Sequence, residues 1–212
     1  VVVSGISYLS YLLRRYVFHE SGILVSGIIG GLYSSTATIS VLARKSRKAP
    51  AQEAPEYAAA MLLAVSMMFL RFLILIGIFS KAILAEIYPY LLIMSFVTAG
   101  VAWYLHRKRK SIPVTGEEAE EEDSSNPLEF KVALIFAVLF VIFTIVTHYT
   151  LIYTGTGGLN VLSFIAGLSD ITPFILNLLQ GSGVAVVVVT ACCMQAIVSN
   201  IAVNMCYALF FA

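Results

Sequence analysis

Charged side chains are scarce: Asp, Glu, Lys and Arg make up 12% of the 212 residues, about half the share found in an ordinary water-soluble domain. So few charges exclude a soluble globule. Cysteine is nearly absent as well. Cys192, Cys193 and Cys206 fall in one apolar segment without CxxC spacing, which excludes a disulfide framework and a metal site and leaves them as small residues for helix packing. Signatures of catalysis are missing too. The chain has no HExxH, no GxSxG, no phosphate-binding glycine loop and no pair of intramembrane aspartates, so no enzyme, cofactor or metal centre is expected. The net charge of +1 hides short basic runs and one acidic patch and says little about partners; no nucleic-acid partner is expected.

What the chain has in excess is apolar length. It is 59% hydrophobic with a mean hydropathy of +0.92. Runs near the roughly 20 residues that cross a bilayer recur at 1–18, 22–43, 57–80, 82–105, 131–153, 157–179 and 183–212. An all-α, polytopic integral membrane bundle follows. The clearly soluble stretch "HRKRKSIPVTGEEAEEEDSSNP" is basic, then acidic, has no hydrophobic periodicity and reads as a disordered connector. The expected organisation is a first membrane half at 1–105, a charged cytoplasmic linker at 106–130 and a second membrane half at 131–212. Arg14-Arg15 follows the first apolar run instead of preceding it, unlike a signal peptide, so the chain reads as starting in mid-helix.

A repeat emerges when the halves are overlaid. "GIIGGLYSSTATISVL" at 27–42 lines up with "SFIAGLSDITPFILNL" at 163–178, pairing Gly31 with Gly167, Ser34 with Asp170 and Thr36 with Thr172. In the next segment "LAVSMMFLRF" pairs with "QAIVSNIAVN" through Ser66 with Ser199 and Arg71 with Asn204. The repeating unit is three apolar segments, with 82–105 and the connector between the copies.

Lys and Arg near helix ends favour the cytoplasmic side. "ARKSRK" at 43–48 and "HRKRK" at 106–110 are separated by two crossings, so both lie inside, with the acidic connector. Arg14-Arg15 fits the same rule only if 22–43 dips into the membrane and returns. Two readings stand side by side: re-entrant segments, which make the halves inverted repeats as in many secondary transporters, or full crossings, which make them parallel.

Polar residues inside apolar segments are costly in lipid and mark the protein interior. Gly30-Gly31 can break a helix, after which Ser34, Ser35 and Thr36 can cap a new start and turn unpaired N–H groups and a positive dipole end into the protein. Close helix packing through small residues is the plainer reading of the same pattern. In the second copy Asp170, Thr172 and Pro173 suit a helix start. Arg71 lies about nine residues, roughly 14 Å, from the nearer end of its segment, which calls for a buried partner, and Asp170 is expected to be that partner. Gln195, Ser199, Asn200 and Asn204 form a polar stripe at helical spacing, either as glue between helices or lining a solute path. His19 and His148 are interfacial.

"GGLYSSTATISVLARKSR", "MLLAVSMMFLRFLIL", "AGLSDITPF" and "AIVSNIAVN" resemble, in that order, the motifs of the prokaryotic membrane domain of unknown function that follows the MgtC/SapB portion of many MgtC/SapB-type proteins. The resemblance implies an inner-membrane location, a link of the wider family to magnesium homeostasis, and an N-terminal membrane domain missing from this chain. Asn204 stands where that pattern leads one to expect a basic residue. Magnesium itself draws no support from a single deep carboxylate.

The expectation is a multi-pass protein of the inner (plasma) membrane that transports or conducts a small ion or solute. Ser34, Ser35, Thr36, Asp170 and Thr172 would line the site, Arg71 would balance Asp170, and Asn200 and Asn204 would stand beside them. The alternative is a non-transporting module that binds and regulates another membrane protein. The expected partners are the lipid bilayer, the small ion or solute, and a second copy in a homodimer.

Overall fold

The computed structural model describes residues 22–107, 130–168, 171–181 and 184–212. The expectations placed on 1–18, Arg14-Arg15, Asp170 and most of the linker fall outside these residues. The described elements are α1 (Ile23–Lys48), a 3-10 turn (Ala51–Glu53), α2 (Ala54–Phe79), α3 (Lys81–Arg107), α4 (Phe130–Gly167), α5 (Ile171–Gln180) and α6 (Val186–Phe211). All but α5 are long and apolar enough to cross a membrane, so the chain is an all-α polytopic membrane protein. The basic run after window 22–43 joins α1, where Lys45, Arg47 and Lys48 form its last turn and meet the negative end of its dipole. Window 157–179 is not one helix: its first part belongs to α4 and its second is α5. The chain divides into two compact units, with described residues 22–71, 92–107 and 207–212 in one and 72–91, 130–168, 171–181 and 184–206 in the other.

In the first unit, α1 is interrupted at Ser34, whose φ of −154° and ψ of 106° are extended. A Cβ built on Gly27 would strike the Ala60 carbonyl, and one built on Gly31 would lie 2.5 Å from the Ala64 Cα. The two contacts advance together, so the arm before Ser34 runs parallel to α2. Gly27 and Ala60 stand four and six residues after the first residue of their helices, so both helices start at the same face. The arm after Ser34 therefore has to return to that face. It does: Gly30 and Thr38, about 12 Å apart on a straight helix, are in contact, with the Thr38 Cβ 3.1 Å from a Cβ built on Gly30. Although α1 is long enough to cross, it folds back at Ser34 into a helical hairpin. Glycine is required where backbone meets backbone in this way. On the other side of α2, the buried Ser66 and Ser95 hydroxyls meet at 2.8 Å and join it to α3.

The second unit repeats this local arrangement. Gly155, at φ 63° and ψ −151°, interrupts α4 with a backbone that L side chains rarely adopt. Beyond it, residues 156–167 pack along α6. The Cys192 thiol donates to Asn160 Oδ1 at 3.5 Å, and a Cβ on Gly167 would lie 2.5 Å from both the Ala196 carbonyl oxygen and the Ser199 Cβ. These contacts also advance together, so this arm runs parallel to α6. Gly167 sits level with residues ten to thirteen places into α6, about 15–20 Å from its start, and α5 must retrace that distance. α5 is buried from Ile171 to Leu178. Phe174 meets Phe143 edge to face at 5.6 Å between centroids, and Asn177 Nδ2 donates to Thr144 Oγ1 at 2.6 Å.

The close approaches set the register between the copies. Gly31 on Ala64 corresponds to Gly167 on Ala196, and Gly27 on Ala60 to Ser163 beside Cys192. This shifts the second helix by one residue from the expected pairing of Ser66 with Ser199 and Arg71 with Asn204. The hydroxyl match carried no packing information, since Ser66 bonds Ser95 whereas Ser199 bonds the Phe164 carbonyl. Cys192 and Cys193 are buried packing residues as expected, but Cys206 is exposed.

Candidate functional site at the hairpin tips

At each hairpin the carbonyls ending the entering arm and the N–H groups starting the returning arm lack the partners that a continuous helix would give them. The side chains around those groups make the candidate site.

At the first tip, Ser34 opens the returning arm. Serine competes with the helix through its own side-chain hydrogen bonds, and Ser34 Oγ accepts the Ala37 N–H at 3.4 Å as a cap. Thr38 Oγ1 donates to the Ser34 carbonyl at 2.8 Å and Ser40 Oγ to that of Thr36 at 2.9 Å. Ser35 is buried, while Ser34 and Thr36 are half-buried. The half-buried Arg71 reaches from α2 and donates from Nη1 to the Tyr33 carbonyl at 2.6 Å. A guanidinium on the last carbonyl of a helical arm combines a charge-assisted bond with the favourable position of a cation at the negative end of the dipole.

At the second tip the same task falls to neutral groups. Ser199 Oγ donates to the Phe164 carbonyl at 2.8 Å, Asn200 Nδ2 to that of Gly167 at 3.2 Å, and Asn204 Nδ2 to Asn200 Oδ1 at 3.2 Å. Asn200 is 4% and Asn204 2% exposed. Thr172 is buried in the first turn of α5, followed by Pro173, which loses nothing there because first-turn N–H groups have no partner within the helix.

Ser34, Ser35, Thr36 and Arg71 therefore gather at one tip, and Asn200 and Asn204 at the other. Sequence reasoning passed over Asn160 and Asn177, which bond Cys192 and Thr144 within the second unit. Each is an amide in an apolar run, the signal that had singled out Asn200. An apolar cavity of about 110 Å³ lies away from the first tip, lined by Leu24, Leu63, Ala99, Ala102, Trp103 and His106.

Long apolar helices, two of them interrupted, at Ser34 in α1 and at Gly155 in α4, define a polytopic α-helical membrane protein with interrupted helices. The chain belongs to the family described as Domain of unknown function (DUF4010), whose model matches residues 1–212. It is similar to an uncharacterized protein of Aquifex aeolicus (strain VF5), 26% identical over 197 residues that cover 89% of this chain and 82% of that protein. No solved structure matches it.

Proposed function

We propose that this protein moves a small ion or solute across the inner membrane, with the two hairpin tips as its polar lining. The observation that carries the reading is the pair of re-entrant hairpins. Interrupted helices at membrane depth are tolerated where they are buried in protein or line a path, and they form the binding sites of many secondary transporters. Arg44 stacks on the Phe211 ring at 4.8 Å, so α6 ends at the face where α1 ends. The basic residues Arg44, Lys45, Arg47, Lys48 and Arg107 make that shared face the cytoplasmic one.

The test is reconstitution. Proteoliposomes are loaded in turn with alkali-metal cations, small anions and neutral solutes, and efflux is compared with that of vesicles carrying Ser34→Leu or Asn200→Leu protein. A flux that falls at least tenfold in a folded variant supports the proposal. Folded wild-type protein that passes none of these solutes overturns it.

The burial of Ile171–Leu178 and the apolar character of the described cavity favour a second reading, a non-transporting module that binds and regulates another membrane protein, in keeping with the resemblance to MgtC/SapB-type proteins. Absent flux together with stable co-purification of one membrane protein would support it.

A further inference from the structure

The apolar cavity of about 110 Å³ in the first unit plays no part in the proposed path. Its wall on α3 is Ala99, Ala102, Trp103 and His106, spaced so that they share one helix face. The two alanines leave the hollow, and Leu24 of α1 and Leu63 of α2 complete it. Of these six residues only Ala102 is buried, so the cavity is a groove open at the surface, and Trp103 stands 56% exposed beside it. An apolar hollow stays dry, and this one is smaller than the roughly 150 Å³ of a cavity that takes up benzene; it suits a few methylene groups of a longer chain that continues outside. The groove reaches the end of α3, where His106 and Arg107 form the last turn. That end lies at the face where α2 starts, because Ser66 and Ser95, in contact, stand at nearly equal distances on either side of the α2–α3 junction. The last turn of α1, with Lys45, Arg47 and Lys48, returns to the same face. The described residues there include two acidic side chains, Glu53 and Glu56, against five basic ones. Arg107 sets its guanidinium over the Trp103 ring, 3.8 Å from the centroid, so a positive charge sits on the rim of the groove itself. Stacking occupies the face of the guanidinium, and its N–H donors lie in the plane, the geometry that meets a phosphate through paired bonds. Trp103 stands about 6 Å inside the end of α3, the level at which tryptophan marks the boundary between lipid and water.

We propose that this groove holds part of one acyl chain of an anionic phospholipid whose phosphate is bound by Arg107. An apolar hollow that runs into a basic rim at the membrane boundary matches both halves of such a lipid, whereas a soluble anion leaves the hollow unfilled and an uncharged chain leaves the rim unanswered. A zwitterionic lipid brings its own cation and gains less from the basic face, since the attraction of juxtamembrane Lys and Arg is to net negative headgroups. The site is built from the first unit alone and does not depend on whether the protein transports.

Trp103 is the single tryptophan of the chain, so its fluorescence reads the groove directly. The purified full chain is reconstituted in vesicles of phosphatidylcholine and phosphatidylglycerol in varied proportion, with brominated acyl chains, which quench tryptophan on contact, placed first on one lipid and then on the other. Comparing the two quenching curves gives the lipid preference and cancels any change in the tryptophan's own yield. Wild type prefers phosphatidylglycerol by at least roughly fivefold, the effect of one basic residue near an anionic surface. Arg107→Gln brings the preference close to one, and so does Ala99→Phe, which fills the hollow and leaves every charge in place. Equal quenching of wild type by both lipids overturns the proposal. A preference that survives Ala99→Phe belongs to the basic face at large and overturns it too, as does a tryptophan that neither lipid quenches, which gives the groove to protein, such as a second copy of this chain. Should Ala99→Phe not fold, Arg107→Gln, at an exposed position, carries the test: an unchanged preference overturns the assignment.

Discussion

A double-mutant cycle at Gly30 and Thr38 tests whether α1 folds back on itself. The two residues stand four places either side of Ser34. On an uninterrupted helix Gly30→Ala stabilises by about 0.8–1 kcal/mol through propensity alone. Here the added Cβ meets the Thr38 hydroxyl and lies 2.8 Å from its Cγ2, and overpacking of this kind costs about 1–3 kcal/mol. Thr38→Ala removes both atoms and leaves the Cβ contact at 3.1 Å, which a shift of a few tenths of an ångström relieves. On its own Thr38→Ala loses the bond to the Ser34 carbonyl, worth about 0.5–1.5 kcal/mol. The double variant regains most of the overpacking, so the coupling should be about 1–2 kcal/mol in the direction of rescue, well above the roughly 0.5 kcal/mol scatter of independent sites. Reversible unfolding by SDS in mixed micelles measures all four corners of the cycle. Additive effects would refute the fold-back and return α1 to a spanning helix.

Gly31→Ala should destabilise by about 1–3 kcal/mol without rescue by Ala64→Gly, because the atoms it meets are the Ala64 Cα and carbonyl; recovery in the double variant, measured in the same micelles, would contradict the geometry. Arg71→Met should cost about 1.5–3 kcal/mol, the range for a hydrogen bond to a charged group, with Arg71→Lys recovering part of it; equal stability of all three proteins in the same titration would remove the Tyr33 carbonyl as the arginine's anchor. In a chain whose exposed Cys206 is replaced by Ala, Ser26→Cys and Arg47→Cys should react with an impermeant maleimide from the same face of oriented vesicles, and labelling from opposite faces would again make α1 a crossing.

The helical membrane class was legible because it depends only on apolar length. The interruption of α1 was half legible: two glycines followed by Ser34, Ser35 and Thr36 suit a broken helix and close helix packing alike. Whether the chain then crosses or returns was not legible, since hydropathy is the same either way and the deciding contacts join Gly27 to Ala60 and Gly31 to Ala64. Those alanines look like any others in an apolar helix, so the overlay settled on hydroxyls and slipped by one residue. The stripe through Asn200 and Asn204 could be read from spacing, but not the carbonyl it serves, because every residue carries one. Arg71 shows the same difficulty. Its need for a buried partner could be read from its depth, but not the Tyr33 backbone oxygen that it meets at 2.6 Å.

The hairpin of α1 cannot be completed by α1. Its glycines seat on Ala60 and Ala64, and its open carbonyl is closed by a side chain 38 residues downstream. During synthesis, then, α1 reaches the insertion machinery before the helix that gives it its shape. Until α2 arrives, a stretch long enough to cross has nothing to hold it in a returning path. Its final topology is settled after its neighbour has been made, so substitutions in α2 that leave α1 untouched can still decide on which side of the membrane the Arg44–Lys48 run comes to rest.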